Sequence, residues 1–356
     1  MERKVGTISR GIRCPIIREG DDLTRIVVES VTAAAKAEGF SLRDRDVVSI
    51  TESVVARAQG NYASTADIAS DVKAKLGGGT IGVEMADFYY HMGTHVIIAE
   101  AAPQLAPTED EDIAAHLRYT LEKHGVLCLV GVRAESLEED EDGNARLTLA
   151  DGATYTAEKG LIAAGRMPNT EHLDAENASC ALNRRGFITT DYYLQSSPNS
   201  WAIGDVNGKM LFAHAATHQG EYVARTILGL EFSPYQAGPC PYCLHGSMEI
   251  MHVGLTEREA AALGGEILVS KSLFSSNVIS QARGDASGFV KVVWRNGEMA
   301  GIAAIGGCAT QLTLSAELLL MGQYSGSRLN SFMVAHPTLD ETLVDAVKAP
   351  RRPSEY

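Results

Sequence analysis

Gly77, Gly79 and Gly82 fall within KAKLGGGTIGVE at the spacing G-x-G-x-x-G. Glycines so spaced let backbone amides approach a pyrophosphate at a helix N-terminus, because no Cβ stands in the way. The cradle would comprise Gly77, Gly78, Gly79, Thr80, Ile81, Gly82, Val83 and Glu84. Such a fingerprint has physical meaning only where a buried strand runs into the first glycine and a helix leaves the last. A second grouping, Cys240 and Cys243 with His245 and His252 nearby, supplies half of a zinc-site spacing. Nothing completes the set, so the simpler reading is a strand entering a sheet, and no metal ligands are expected.

The elements that must position the glycines are legible on one side only. Residues 64–76, STADIASDVKAKL, carry Ile68, Val72 and Leu76 at helical spacing behind a Ser or Thr cap. A central parallel strand is covered on both faces and should be apolar throughout, which Lys73 and Lys75 oppose. The spacing therefore predicts a helix ahead of Gly77, and a second helix, TIGVEMADFYYHM, after it. Upstream, residues 21–38 have one apolar helical face stopped by Gly39. DVVSIT (46–51) follows as a strand and ESVVARAQ as a helix ended by Gly60. Downstream come a strand over 94–100, an amphipathic helix over 110–125, and short strands in LCLVGVRAESLEE, ARLTLA and TYTAEKGLIAA. The EEDED run at 138–142 reads as a solvated hairpin tip. GFITTD, SWAIGD and a helix from about Phe212 to Ile227 lead to a Pro-rich boundary at 234–241 and a final α+β unit.

Composition narrows the function classes. A net charge of −14 opposes a phosphate-backbone partner, so nucleic acid is excluded. No apolar run reaches membrane-spanning length, and the start MERKVGTISRGIRCP has charge without an apolar segment behind it. A cytoplasmic protein with six free thiols is expected.

From Gly77 onward the chain resembles the pyridine nucleotide–disulfide oxidoreductases, and among them the dihydrolipoyl dehydrogenases. Five blocks carry the resemblance in the family's order: GGGTIGVE with HVIIAE, AAGRMPNT, SWAIGDVNGKMLFAHAATHQG, VGLTEREA, and AHPTLDE. The resemblance implies FAD and NAD as cofactors and a homodimer. It also implies a lipoyl-bearing protein of a 2-oxoacid dehydrogenase or glycine cleavage complex as partner. It places Glu100 on the adenosine ribose, where an acid favours NAD over NADP, and Gly165 where NAD approaches backbone. It assigns Asp205 to the flavin's ribityl chain. Leu211, Phe212, Ala213 and His214 lie along the isoalloxazine, where helix N-terminal amides would stabilise a reduced flavin. His336 and Glu341 match its acid–base pair, the histidine moving protons at a dithiol and the carboxylate orienting the ring.

Two family features are missing from the 356 residues: a second G-x-G-x-x-G for the flavin diphosphate and a C-x₄-C redox pair. PYCLHGSMEI also departs from the family at His245, Gly246 and Met248. Residues 4–76 are instead similar to the start of the deazaflavin-coenzyme γ-glutamyl ligases, GTP- and divalent-metal-dependent enzymes, with Glu19, Gly20, Asp21 and Asp22 matching their GDD turn. An N-cap and first-turn acid is the simpler role for Asp21 and Asp22. The change of identity falls on the glycine run itself, the pattern of two fused gene fragments. The expected fold is α/β: a partial Rossmann-like NAD-binding domain and a remnant flavin domain, followed by an α+β dimerisation domain. Expected boundaries are 1–76 ligase-like, 77–167 NAD-binding, 168–233 flavin remnant and 234–356 dimerisation. The expected activity is a flavin- and NAD-dependent dithiol–disulfide oxidation, impaired by the missing anchor and cysteines. The alternatives are a ligase fragment and a non-catalytic dimerising remnant.

Overall fold

The periodic run after Asp21 folds as its apolar face predicts, into helix α1 (Leu23–Ala37). Asp22 caps it, its side chain accepting the Arg25 amide at 2.9 Å, and Gly39 follows at φ +67°. Asp21 Oδ2 accepts the Arg18 amide at 2.7 Å, so both acids serve local backbone. A computed structural model describes residues 12–15, 17–18, 20–42, 81–171, 173–324 and 327–356. Gly77, Gly78, Gly79 and Thr80, with the elements expected over 46–60 and 64–76, lie outside the described residues. The chain divides into two compact units, Met1–Ser70 and Asp71–Tyr356.

The first described element of the second unit is α2 (Ile81–His91), which stops before Gly93 at φ +88°. Strand β1 (Ile97–Glu100) is shorter than the run 94–100 suggested. Helix α3 (Glu111–His124) places Ile113, Leu117 and Leu121 on one buried face and ends at Gly125 in the left-handed region. Each such side chain contributes about 1.5–3 kcal/mol by leaving water. Strand β2 (Leu127–Val130) then pairs parallel with β1, Ile97 against Leu127 through Glu100 against Val130. Strands β3 (Ala134–Glu139), β4 (Ala145–Leu149) and β5 (Thr154–Ala157) make an antiparallel meander, with the acidic run at the first turn. The strand expected to continue through Ala164 ends at Ala157, and 158–170 forms no ladder. Among the described residues no strand lies beside that segment to pair with it. It packs instead on α2, where a Cβ at Gly82 would stand 3.1 Å from that of Ala163. Glycine permits this close approach.

Strands β6 (Gln195–Ser197) and β7 (Ser200–Trp201) form a small ribbon, and helix α4 (Ala213–Ile227) follows. GFITTD contributes only an isolated bridge, Leu182 to Ile188, and not a strand. The last part begins with β8 (Tyr242–Leu244), which takes up Cys243 as a strand residue, and β9 (Glu249–Gly254). Helix α5 (Glu257–Ala262), β10 (Ile267–Leu273), α6 (Val278–Ala282), β11 (Gly288–Arg295) and β12 (Glu298–Gly306) follow. Helices α7 (Thr313–Gly322), α8 (Ser327–Asn330) and α9 (Asp340–Lys348) and strand β13 (Arg352–Pro353) complete it. The six strands form one antiparallel sheet in the order β13-β10-β11-β12-β9-β8. Among the described residues no helix is long and apolar enough to cross a membrane.

This sheet is covered on both faces. Val290, Val292 and Trp294 of β11 turn toward α7 and α9, packing with Ala316, Leu319, Leu343 and Ala346. Phe289, Ala303 and Ile305 face the other way, onto Val83 of α2 and Ile113, Leu117 and Leu121 of α3. Alternation along β11 puts Lys291 on that second face, with its side chain 1% exposed. Its Nζ lies 2.6 Å from Glu257, 2.9 Å from Asp110 and 3.0 Å from Asp112. Asp110 also accepts the Glu257 amide at 2.9 Å, capping α5 from across the layer. A buried cation is tolerable only with such partners.

A second buried pair lies beside it, His252 Nδ1 being 3.5 Å from Glu109 Oε2. Burial opposes the imidazolium, but the Glu109 carboxylate, with Asp110 and Glu259, outweighs it and raises the His252 pKa. A raised folded-state value stabilises the fold fully below the unfolded pKa, about 6.5. That stabilisation is lost as pH rises through the folded value. Melting temperatures measured upward from pH 6 should therefore fall more for the parent chain than for His252→Asn. Parallel profiles would refute this.

Candidate active site

Of the residues expected to face a nucleotide, Glu100 ends a strand and Ile81 and Gly82 begin a helix. Glu100 closes β1 and its Oε1 accepts the Ala102 amide at 2.8 Å, which holds the carboxylate at the strand's C-terminal edge. Gly165 has φ +121°, a conformation costly for any residue with a Cβ. Within the fingerprint, Ile81 and Gly82 open α2, and Val83 is buried in the core shared with the large sheet. The Glu84 carboxylate accepts the His245 amide at 2.8 Å, and Asp87 binds the Ser247 amide and hydroxyl at 2.7 and 2.6 Å. Helix α2 thus grips the loop 245–247, and Gly246 fits because a Cβ there would approach an Asp87 oxygen to 3.0 Å. This gives the departure at His245 and Gly246 a physical basis.

Asp205 lies in a single 3₁₀ turn, Gly204–Asn207, behind a positive-φ Gly204. Its carboxylate is half-exposed, and Oδ2 lies 3.1 Å from Arg166 Nη1. The same nitrogen donates to the Leu211 carbonyl at 2.6 Å. Phe212 is the residue before α4, and no side chain caps the first amides of that fifteen-residue helix. His214 stacks on Phe212 with centroids 5.2 Å apart, and its Nε2 lies 2.9 Å from the Pro241 carbonyl. The structure thus brings Asp205, Leu211, Phe212, Ala213 and His214 into one loop and helix start. Arg166 joins them. The signal for Arg166 was its place directly after Gly165 in AAGRMPNT.

His336 and Glu341 meet at the entry to α9, with Nδ1 to Oε1 at 2.9 Å. The other carboxylate oxygen accepts the Thr338 amide at 3.0 Å. That amide, then the imidazole, holds the Glu341 pKa below its ordinary value, so it remains a carboxylate able to orient the ring. The His336 side chain is 64% exposed. A histidine fixed through Nδ1 leaves Nε2 free to exchange a proton with an incoming group.

The cysteines are less poised. Burial, then Glu317, raises the Cys240 pKa, and burial raises that of Cys243 despite its contact with Thr313. The Cys128 thiol is pushed up to about 11 by burial. Raised pKa values disfavour the thiolate, the nucleophilic form of a redox cysteine. Among the described residues no group of three or more His, Cys, Asp and Glu is placed to hold a metal ion.

The donor set suits part of a flavin. Uncapped amides opening α4 beside a half-exposed carboxylate can serve the ring and the ribityl hydroxyls. No second glycine fingerprint exists in the sequence for the diphosphate end. Glu100 and the open turn at Gly165 suit the ribose and backbone contacts of NAD.

An α/β region with a parallel strand pair, joined to an antiparallel sheet flanked by helices, defines a nucleotide-type lobe carrying an interface domain. The chain belongs to the pyridine nucleotide-disulphide oxidoreductase family: residues 23–220 match that family, and residues 240–347 match its dimerisation domain. The first match begins well ahead of Gly77. Dihydrolipoyl dehydrogenase from Thermus scotoductus is 34% identical over 282 residues, covering 77% of this chain and 60% of that protein. A Bacillus subtilis dihydrolipoyl dehydrogenase is 31% identical over 274 residues, covering 76% and 60%. Among solved structures, the HOCl-induced flavoprotein disulfide reductase RclA from Escherichia coli aligns with TM-score 0.71 and 28% identity, covering 77% of this chain and 63% of its own. The chain therefore spans about three-fifths of the length of the curated relatives it matches. Dihydrolipoyl dehydrogenases use FAD and NAD.

Proposed function

We propose that this chain is the acid–base and dimerisation portion of a dihydrolipoyl dehydrogenase-type oxidoreductase. In this reading it pairs with a second copy through the 240–347 domain and presents His336 to a flavin–dithiol centre. The observation that carries it is the His336–Glu341 contact at 2.9 Å, with Thr338 fixing the second oxygen and the ring exposed. Glu341 sets the ring's orientation, and the free Nε2 accepts a proton from a substrate thiol and returns it. When bound, flavin and NAD supply hydride and electron transfer. Glu100 and Gly165 would hold NAD; Asp205 and the opening of α4 would hold the flavin. Turnover by this chain alone is low, because its 356 residues contain no C-x₄-C pair and burial raises the pKa of both C-x-x-C thiols. A lipoyl-bearing protein of a 2-oxoacid dehydrogenase or glycine cleavage complex is the substrate class that suits such a histidine.

The test uses purified chain, alone and mixed with a complete family reductase whose own acid–base histidine has been replaced. Alone, it should elute as a dimer and reduce lipoamide with NADH only at background rate. Mixed, it should restore turnover that His336→Ala does not restore. A yellow chain cycling lipoamide at a normal rate by itself would overturn the reading.

The ligase-like resemblance of residues 4–76 bears on the same proposal. The division between Ser70 and Asp71 supports a separate first piece. Against it, the family match begins at residue 23, and Asp21 and Asp22 are engaged with local backbone. We favour the oxidoreductase reading.

A further inference from the structure

We infer that Arg166 is a positioning residue that holds the Asp205–Leu211 loop in its flavin-ready shape and links it to the turn at Gly165. This rests on the proposed flavin role of Asp205. The two hydrogens on Nη1 go to the two ends of one loop, Asp205 Oδ2 at 3.1 Å and the Leu211 carbonyl at 2.6 Å. These partners lie 39 and 45 residues further along the chain, so the contact joins two separate segments. One end carries the only acid of the loop, and the other leads directly into the uncapped start of α4. Drawing both to one nitrogen fixes the distance between carboxylate and helix amides, which is what a ligand spanning them would require.

The interior of the loop supplies further constraint. A Cβ on Gly208 would stand 2.8 Å from the Phe187 ring, so the loop lies flat on that side chain. Asn207 Nδ2 and the Gly204 amide both donate to buried Gln219 Oε1 of α4, each at 2.8 Å. Floor and inner edge are therefore set by packing. The Gly208 amide closes the turn on the Asp205 carbonyl at 3.0 Å, and at the outer edge Arg166 is the described partner of the Asp205 carboxylate and of the Leu211 carbonyl. A guanidinium is suited to this, because a planar fork loses less freedom per hydrogen bond than an ammonium. Arg166 follows Gly165 directly, so displacement of that turn by a bound nucleotide would be transmitted to the loop.

The experiment measures FAD affinity, by quenching of flavin fluorescence, for the parent chain, Arg166→Gln, Asp205→Asn and the double variant. Hydrogen exchange of amides 204–213 is followed without ligand. Arg166→Gln should weaken FAD about tenfold in the parent background and by clearly less beside Asp205→Asn, since one of the two ends the arginine holds is that carboxylate. Exchange across 204–213 should quicken at least tenfold in Arg166→Gln and return part-way in Arg166→Lys. Unchanged FAD affinity in Arg166→Gln, or losses that simply add, would overturn the inference. If the parent binds no FAD, the flavin assignment of Asp205 fails instead. Exchange then decides the clamp by itself, an unchanged rate in Arg166→Gln counting against it.

Discussion

Lys291→Met should lower the unfolding free energy by about 3–5 kcal/mol, the cost expected when one partner of a buried ionic cluster is removed. Lys291 is 1% exposed and lies among Asp110, Asp112 and Glu257 at 2.6–3.0 Å. Methionine fills similar space, so the loss measures charge and not volume. Asp112 keeps Lys271, but Asp110 and Glu257 lose the ammonium group that lies against both. The sign of the pH dependence follows from the shifts. Burial raises the Asp112 and Glu257 pKa values, but Lys291 and their hydrogen bonds more than offset it and leave both low. In the parent chain these two groups stabilise above the ordinary carboxylate range and lose that contribution as pH falls through their lowered values. Asp110, held high by burial, works in the opposite direction. In Lys291→Met the buried carboxylates prefer their protons, so the deficit should be largest at neutral pH and shrink toward pH about 4. Urea melts at neutral and acid pH measure this, and an unshifted neutral midpoint would sink it.

Leu318→Lys should convert a dimer to monomer at micromolar concentration. Helix α7 carries Leu314, Leu318 and Met321 along one side, each more than half exposed, while Ala316, Leu319 and Leu320 point into the core. Residues at i, i+4 and i+7 form one stripe, and soluble proteins seldom leave such a stripe uncovered. The helix lies within the span matching the dimerisation domain. In a two-fold interface every substitution counts twice, so one lysine per chain places two ammonium groups where apolar surface was paired. An increase of at least ~100-fold in the dimer dissociation constant is expected. Sedimentation reads it directly, and Leu318→Met should leave association within a few-fold. Identical sedimentation of Leu318→Lys and parent chain would show that α7 is not the contact face.

The helices were the most legible part of the fold. The apolar spacing of Ile113, Leu117 and Leu121 and the glycine after His124 define α3 without tertiary information. The same holds for α1 and for α2 after the fingerprint. What the sequence hid was pairing across distance. Nothing in the run around Lys291 names its carboxylates, two of which, Asp110 and Asp112, lie far back in the chain. Glu84 reads as the tail of a glycine motif, but its carboxylate engages an amide 161 residues away. Residues 158–164 look like strand, yet a ladder requires a neighbour, and none is described beside them. The histidine–carboxylate pair could be read from the resemblance of AHPTLDE to the family's acid–base block, and one turn brings its two members together. Arg166 could be seen in its motif but not assigned, since its two partners are named by the fold alone.

The central strands β11 and β12 are buried on both faces, and this makes them a mechanical plate. Ala303 and Ala304 are adjacent in β12, one packed toward α3 and the other toward α7. Dense packing on both surfaces leaves little room for a strand to yield. Enlarging either alanine would push the plate toward the opposite layer, so a change beneath α7 would be felt beneath α3. The two surfaces are therefore coupled in volume: a bulkier residue on one side of the plate is accommodated best by a smaller one across it.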